Sequence, residues 1–227
     1  MGYPDHQERK YIYISNLTSS ILGIFGCLFI ITVFFSFKEL RRYANKLIVV
    51  LAFFDILNNV GFLIPTIYPD GVQCVAQSII ISIGSTSSIL WTCIISYSLY
   101  KIIVKNDDSI KNYYEFQVVA VLLISVALAI VPFVTGTIGK TSGWCWIRKT
   151  DGTINLGFYE RLFFLFFPLT SAIVFNITVY YSVRKYLILH SREDIMSEND
   201  KKILNKKLVL YPILMIICYF PYAINNL

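Results

Sequence analysis

Charged residues are scarce in this sequence. Asp, Glu, Lys and Arg make up only 15% of the 227 residues, whereas 56% are hydrophobic and the mean hydropathy is +0.62. This balance excludes a soluble domain of that size. The only histidines are His6 and His190, and the sequence has no Gly-rich phosphate loop, Cys-x-x-Cys pair or His-Glu metal spacing. Nothing in it therefore predicts an enzyme, and we expect no cofactor or metal site.

The charged residues cluster, and the stretches between the clusters are long enough to cross a membrane. Six stretches provide the roughly 20 apolar residues that a helix needs to cross about 30 Å of hydrocarbon. None shows the two-residue alternation of a barrel strand, and backbone amides in lipid must be paired within their own segment. The sequence predicts an all-α, polytopic transmembrane bundle, one domain over 1–227, with spans at about 12–37, 47–68, 74–101, 117–138, 158–184 and 207–227.

Basic residues indicate which ends of the spans face the cytoplasm. The first, third and fifth loops hold 14 of the 20 Lys and Arg residues, and cytoplasmic loops retain positive charge. The N-terminus is therefore predicted to be extracellular, in a multi-pass protein of the plasma membrane. The basic residues border the spans and form no separate patch, so the predicted partner is the lipid bilayer and not a nucleic acid.

One carboxylate lies within a predicted span. Asp55 is about two turns into the second span, and Asn58 and Asn59 follow three and four residues later on the same helical face. An ionisable group in hydrocarbon is costly unless it faces partners inside the bundle. These residues predict an intramembrane polar cluster, which is either an ion or water site used in switching or a set of interhelical hydrogen bonds.

Serine and proline predict how the spans pack. The third span is serine-rich and predicts a central helix, because small side chains allow close helix approach; its serines are Ser78, Ser82, Ser85, Ser87 and Ser88. Each proline within a span removes a backbone hydrogen bond and predicts a kink. These prolines are Pro65, Pro132, Pro168, Pro212 and Pro221.

The cysteines fall into two groups. Cys27, Cys93 and Cys218 lie within spans and are expected to act as small apolar residues. Cys74 and Cys145 both fall on the predicted outer, oxidising side, where disulfides form. The topology therefore permits a disulfide that closes a loop of about 70 residues and contributes on the order of 4 kcal/mol in the chain-entropy model.

The segment around Cys145 carries a family resemblance. Gly143-Trp144-Cys145-Trp146-Ile147, Trp91-Thr92, Ser98-x-Tyr100-x-x-Ile103-Val104-Lys105 and Leu40-Arg41-Arg42 resemble the cyclic-AMP-receptor-like (class E) G-protein-coupled receptors. Leu51-Ala52-x-x-Asp55 and Cys218-Tyr219-Phe220-Pro221-Tyr222 resemble rhodopsin-like receptors instead. The acidic-Arg-Tyr triplet of that second class is here Ser98-Leu99-Tyr100, which favours the first.

The resemblance implies a cell-surface receptor that binds a small extracellular ligand, such as a cyclic nucleotide, and couples to a heterotrimeric G protein. A ligand phosphate needs a cation, and the candidate ligand-binding residues are Trp144, Trp146, Arg148, Lys149 and Arg161. The candidate G-protein-facing residues are Arg41, Arg42, Tyr100, Lys101, Lys105, Arg184, Lys185, Lys206 and Lys207. For these cations the alternative role is contact with lipid headgroups, and for Arg161 it is snorkelling.

Two other functions remain open at this point. Receptors of this kind have seven spans, and the chain is expected to be a fragment or truncated form that stops after the sixth. In a six-span transporter or channel, Asp55, Asn58 and Asn59 would instead line the permeation path. A non-signalling partner would pair with intact receptors through its exposed fifth and sixth helices.

Overall fold

Five long helices and a short hairpin make up the described part of the protein. The computed structural model describes residues 6–65, 71–141, 143–148 and 155–189. Its elements are α1 (His6–Ser36), α2 (Tyr43–Leu63), α3 (Val72–Val104), α4 (Tyr114–Val134), β1 (Ile138–Lys140), β2 (Cys145–Ile147) and α5 (Leu156–Leu189). All five helices have the length and hydropathy of a membrane span. The predicted helical transmembrane bundle is confirmed, and the predicted span at 207–227 lies outside the described residues.

Proline ends α2 and lies close to the end of α4. Ile64 is extended, with φ −68° and ψ 118°, because the residue before a proline disfavours the α conformation. Pro65 therefore ends α2 at Leu63, and the kink predicted there is wrong. Pro132 lies inside the last turn of α4, which stops at Val134. The predicted span four extends to residue 138, but the chain leaves the helix at Val134 and turns at Gly136, so that Ile138 is instead the first residue of β1. Gly136 has φ +69°, a conformation that glycine adopts at little cost.

α5 changes geometry just before Pro168. Leu156–Arg161 and Phe167–Leu189 are α-helical, whereas Leu162–Phe166 form a π turn in which the Phe167 amide donates to the Leu162 carbonyl. Proline has no N–H, and its ring crowds the carbonyl four residues before it. The irregularity predicted at Pro168 is thus a π turn, which widens the helix by one residue at this point.

α3 is the central helix, as its serine content predicts. It packs against α2, α4 and α5 and also contacts both strands. Ser78, Ser87 and Ser88 are buried on it. At Gly84, an added Cβ would come within 2.5 Å of the backbone nitrogen of Asn58. The α2 and α3 backbones therefore meet at a distance that only glycine allows.

Tryptophan occupies both ends of the core. Toward the loops that follow α1 and α3, Trp91 packs in a cluster with Leu47, Phe54, Ile95 and Val121, and its Nε1 donates to the Leu47 carbonyl at 2.8 Å. We call this the basic end of the bundle. Under the strands, a second cluster contains Ile81, Trp144, Trp146, Ile147 and Leu165. We call this the hairpin end.

Candidate functional site

A disulfide holds the hairpin on the first turn of α3. Cys74 and Cys145 are joined, and their Cα atoms are 5.1 Å apart. Gln77, one helical turn after Cys74, accepts the N–H of Cys145 at 2.6 Å and donates to the Ile64 carbonyl at 3.1 Å. The start of α3 therefore fixes both β2 and the end of α2. Sequence reasoning missed Gln77, although an amide residue in an uncharged run, one turn after a candidate disulfide cysteine, was the available signal.

The hairpin itself is short and fully paired. β1 and β2 are antiparallel, with Gly139 opposite Trp146 and Lys140 opposite Cys145. Thr141 closes the turn, since its amide and its hydroxyl both donate to the Trp144 carbonyl at 2.8 Å. The segment between α4 and α5 thus contains a small two-stranded sheet that packs against α3.

The two loop tryptophans attach the hairpin to the helices. Trp144 and Trp146 are each only 4% exposed. Trp144 packs edge to face on Phe62 of α2 at 5.9 Å between ring centroids, and Trp146 Nε1 donates to the Ser82 hydroxyl of α3 at 3.3 Å. Both side chains are therefore part of the core at the hairpin end. A ligand would contact them only in a conformation in which the hairpin lifts.

Arg161, another candidate ligand-binding residue, is buried and already has an acceptor. Its Nε and Nη2 donate to the Ile147 carbonyl at 2.8 and 2.6 Å, and its guanidinium lies 5.6 Å from the Trp146 ring centroid, within cation–π range. Arg161 thus clamps β2 to α5. Arg148, by contrast, has an exposed side chain, and Lys149 lies outside the described residues.

Glu160 lies next to Arg161 and binds a different element. Its buried carboxylate accepts a hydrogen bond from the Thr137 hydroxyl. Thr137 precedes β1, so Glu160 joins the start of the hairpin to α5, while Arg161 joins its end. Two adjacent residues of α5 therefore hold both strands.

A small cavity lies beneath the hairpin, between α3, α4 and α5. Its lining includes Ser82, Ser85, Ala129, Pro132, Trp146 and Leu165. The space open to a water-sized sphere is about 20 Å³, which is room for about one water molecule. A nucleotide needs far more space, so this cavity would have to open before it could hold such a ligand.

The intramembrane polar cluster joins α2 to α3. The Ser88 hydroxyl donates to Asp55 Oδ1 at 2.6 Å, and the Asn59 side chain donates to the Asp55 backbone carbonyl at 2.8 Å. Asn59 lies against Gly23 of α1, whereas Asn58 lies against Gly84 of α3. The three predicted residues therefore face different neighbours, and Ser88 is the partner that the sequence did not identify. This geometry favours the interhelical hydrogen bonds over the ion site.

At the basic end, hydrogen bonds and rings tie α2, α3 and α4 together. The Tyr43 hydroxyl lies 3.3 Å from the Ser98 hydroxyl, and its ring meets that of Tyr114 edge to face. Lys101 forms an ion pair with Asp107 at 3.0 Å. Hydrogen bonds from Ser109 and from Lys101 lower the pKa of Asp107 to about 2, so this carboxylate is charged at neutral pH.

The candidate G-protein-facing residues lie at this same end. Tyr100 and Lys101 are half-buried, whereas the other described members are exposed: Arg41, Arg42, Lys105, Arg184 and Lys185. Lys206 and Lys207 lie outside the described residues. The structure thus brings the ends of α1, α3 and α5 to one face of the bundle.

Comparison with known proteins gives consistent results. Cyclic AMP receptor 2 of Dictyostelium discoideum is 26% identical over 227 residues, which are 97% of this chain and 58% of that protein. Cyclic AMP receptor-like protein A of the same organism is 29% identical over 182 residues, covering 80% and 46%. G-protein coupled receptor 1 of Arabidopsis thaliana is 28% identical over 183 residues, covering 79% and 54%. The chain thus spans about half the length of the curated relatives it matches.

The fold and the family agree with these relatives. The crystal structure of squid rhodopsin superposes with a TM-score of 0.68 at 20% identity, covering 85% of this chain and 56% of that one, a likeness of fold alone. The family described as "Slime mold cyclic AMP receptor" matches residues 4–227. This is a receptor family and not an enzyme family, as the sequence predicts. The chain belongs to the slime mold cyclic AMP receptor family.

Proposed function

We propose that this chain belongs to a plasma-membrane receptor that binds a small ligand at its hairpin end and couples to a heterotrimeric G protein at its basic end. The observation that carries the proposal is the family match over residues 4–227. The hairpin end would face outward, because its disulfide needs an oxidising compartment. The N-terminus would then be extracellular, since α1 begins at that end.

The ligand we propose is a cyclic nucleotide. Relatives of the chain are named cyclic AMP receptors, and a cyclic phosphate calls for a cation with N–H donors. Arg148 follows directly after β2 and is exposed, so it and its neighbour Lys149 are the proposed phosphate contacts. Arg161, Trp144 and Trp146 would act from beneath by holding the hairpin in place.

The coupling surface we propose lies at the ends of α3 and α5. Ser96 of α3 and Asn176 of α5 are hydrogen bonded, so these two helices are held together above that surface. Tyr100, Lys101 and Lys105 on α3 would meet the G protein together with Arg184 and Lys185 on α5, and with Lys206 and Lys207 beyond them.

The test separates ligand binding from coupling. The chain is placed in proteoliposomes with a purified heterotrimeric G protein. Two quantities are measured: binding of labelled cyclic AMP to the chain, and cyclic-AMP-stimulated binding of GTPγS to the G protein. We expect saturable binding that R148A/K149A weakens by about 10- to 100-fold, the effect of losing charge-assisted hydrogen bonds. Lys38→Gln at the basic end is the matched control and leaves binding unchanged. Absence of saturable cyclic AMP binding refutes the cyclic-nucleotide assignment. Cyclic AMP binding without stimulated GTPγS binding refutes coupling to the G protein.

A further inference from the structure

Two loops at the basic end differ in how their cations are neutralised. After α3, two of the three cations are paired, Lys101 with Asp107 at 3.0 Å and Lys111 with Asp108 at 2.7 Å. The third, Lys105, is exposed and has no acidic partner in the described part of the chain. After α1, the first-loop cations have no acidic partner within the described part of the chain, and all are exposed; they are Lys38, Arg41, Arg42 and Lys46. Their charge is therefore available to an external anion.

The first loop holds these cations on an ordered backbone. Lys38–Leu40 form a 3₁₀ turn between α1 and α2. Arg41 Nη2 donates to the Phe35 carbonyl at 2.8 Å, and the Asn45 side chain donates to the Leu40 carbonyl at 2.7 Å. A loop whose carbonyls are bound in this way is preorganised, so an anion that binds it loses little free energy to ordering.

Apolar side chains place this loop at the surface of the bilayer. Phe35 is 56% exposed, Phe37 59% and Leu40 37%, and aromatic rings concentrate where hydrocarbon meets headgroups. The apolar part of α1, Tyr11–Ser36, has 26 residues, which corresponds to roughly 39 Å and exceeds the roughly 30 Å of hydrocarbon. The helix end and the cations beyond it therefore lie at the level of the lipid phosphates.

Of the five described helices, α1 is the least buried. Only 17% of its most apolar 18 residues are buried, against 50% for the corresponding part of α3, and α1 packs mainly on α2. In a bilayer, lipid headgroups are therefore among the external anions that the end of α1 meets.

We propose that the first-loop cations, Lys38, Arg41, Arg42 and Lys46, form a binding site for the phosphate of anionic phospholipids. The guanidinium groups of Arg41 and Arg42 would bind phosphate oxygens through paired N–H donors. Lys38 and Lys46 add charge at the same level, while Phe35 and Phe37 lie beside the acyl chains. This assigns Arg41 and Arg42 to lipid and leaves the coupling surface to α3 and α5.

The experiment titrates the purified 227-residue chain with lipid and measures the number of bound lipids by native mass spectrometry. Phosphatidylserine is compared with phosphatidylcholine of the same acyl chains. The test variant is K38Q/R42Q, in which neither replaced side chain makes a hydrogen bond in the described structure. The matched control is K101Q/K111Q, which removes the same charge from the same end, but from paired residues. The conservative variant K38R/R42K reports on folding and should retain binding.

We expect wild-type protein to prefer phosphatidylserine, and K38Q/R42Q to weaken that binding by roughly fivefold for each charge removed, about 25-fold for both. The control variant should change it by less than about twofold, because Asp107 and Asp108 already neutralise the two replaced lysines. Excess inorganic phosphate should not compete, since it lacks the acyl chains. Equal losses in both double variants, unchanged binding in K38Q/R42Q, or competition by free phosphate would each overturn the assignment.

Discussion

Replacing Arg161 by alanine separates a structural clamp from a ligand contact. The substitution removes two N–H donors that lie 2.8 and 2.6 Å from one acceptor, the carbonyl of Ile147, whose residue is 1% exposed. Because the two donors share one oxygen, we count them as one charge-assisted hydrogen bond of about 1.5–3 kcal/mol. Loss of the cation–π contact with Trp146 adds about 1 kcal/mol. The hairpin should therefore lose about 3 kcal/mol of local stability.

Hydrogen–deuterium exchange in lipid nanodiscs measures this loss directly. A change of about 3 kcal/mol in the opening equilibrium speeds exchange by roughly 100-fold, and we expect this for peptides covering 138–148. Amides of α1 and α2 should be unaffected, since the disulfide between Cys74 and Cys145 still attaches the hairpin to α3. Arg161→Lys keeps the charge but loses the planar fork, so its effect should be intermediate.

Arg148→Ala is the matched control for this experiment. Arg148 is also an arginine at the end of β2, and its side chain lies beside Gly139 of β1, but it is exposed. Because exposed polar contacts contribute only about 0–1 kcal/mol, its loss should speed hairpin exchange by no more than about fivefold. If Arg161→Ala left exchange at the wild-type rate, or if Arg148→Ala accelerated it as much, the clamp would be disproved. A loss of cyclic nucleotide binding in Arg161→Ala without faster exchange would instead make Arg161 a direct ligand contact.

The remaining predictions concern the packing of α3, and thermal unfolding in detergent measures them. Ser88→Ala should destabilise the protein by about 1–3 kcal/mol, because Asp55 loses its donor. Ser87→Ala should be neutral or stabilising, since the Ser87 hydroxyl is buried without a hydrogen-bond partner in the described structure; equal losses in the two variants would contradict this. Gly84→Ala should cost about 1–3 kcal/mol or more through overpacking, whereas Gly26→Ala, which meets nothing within 4 Å, should be neutral or slightly stabilising. A stable Gly84→Ala protein would refute the close approach.

The membrane nature of the protein and the role of α3 follow from the sequence alone. Hydropathy is a sum over residues that are neighbours in the sequence. A long uncharged run therefore identifies a membrane span independently of how the other spans pack. The same holds for the serines of α3, because small size favours close packing in any bundle. Cys74 and Cys145 fall on one side of the membrane by topology, and the structure joins them.

Only the tertiary structure decides which way each side chain of the candidate site faces. The sequence places Arg161 at the mouth of a span, but the position of β2 makes it a buried donor to Ile147. The burial of the Trp144 and Trp146 side chains similarly depends on how the hairpin packs on α2 and α3. The hydrogen bond between Asp55 and Ser88 depends on the rotation of α2 and α3 about their axes. Such contacts join residues distant in the chain, and local patterns do not encode the helix rotations and backbone distances that create them.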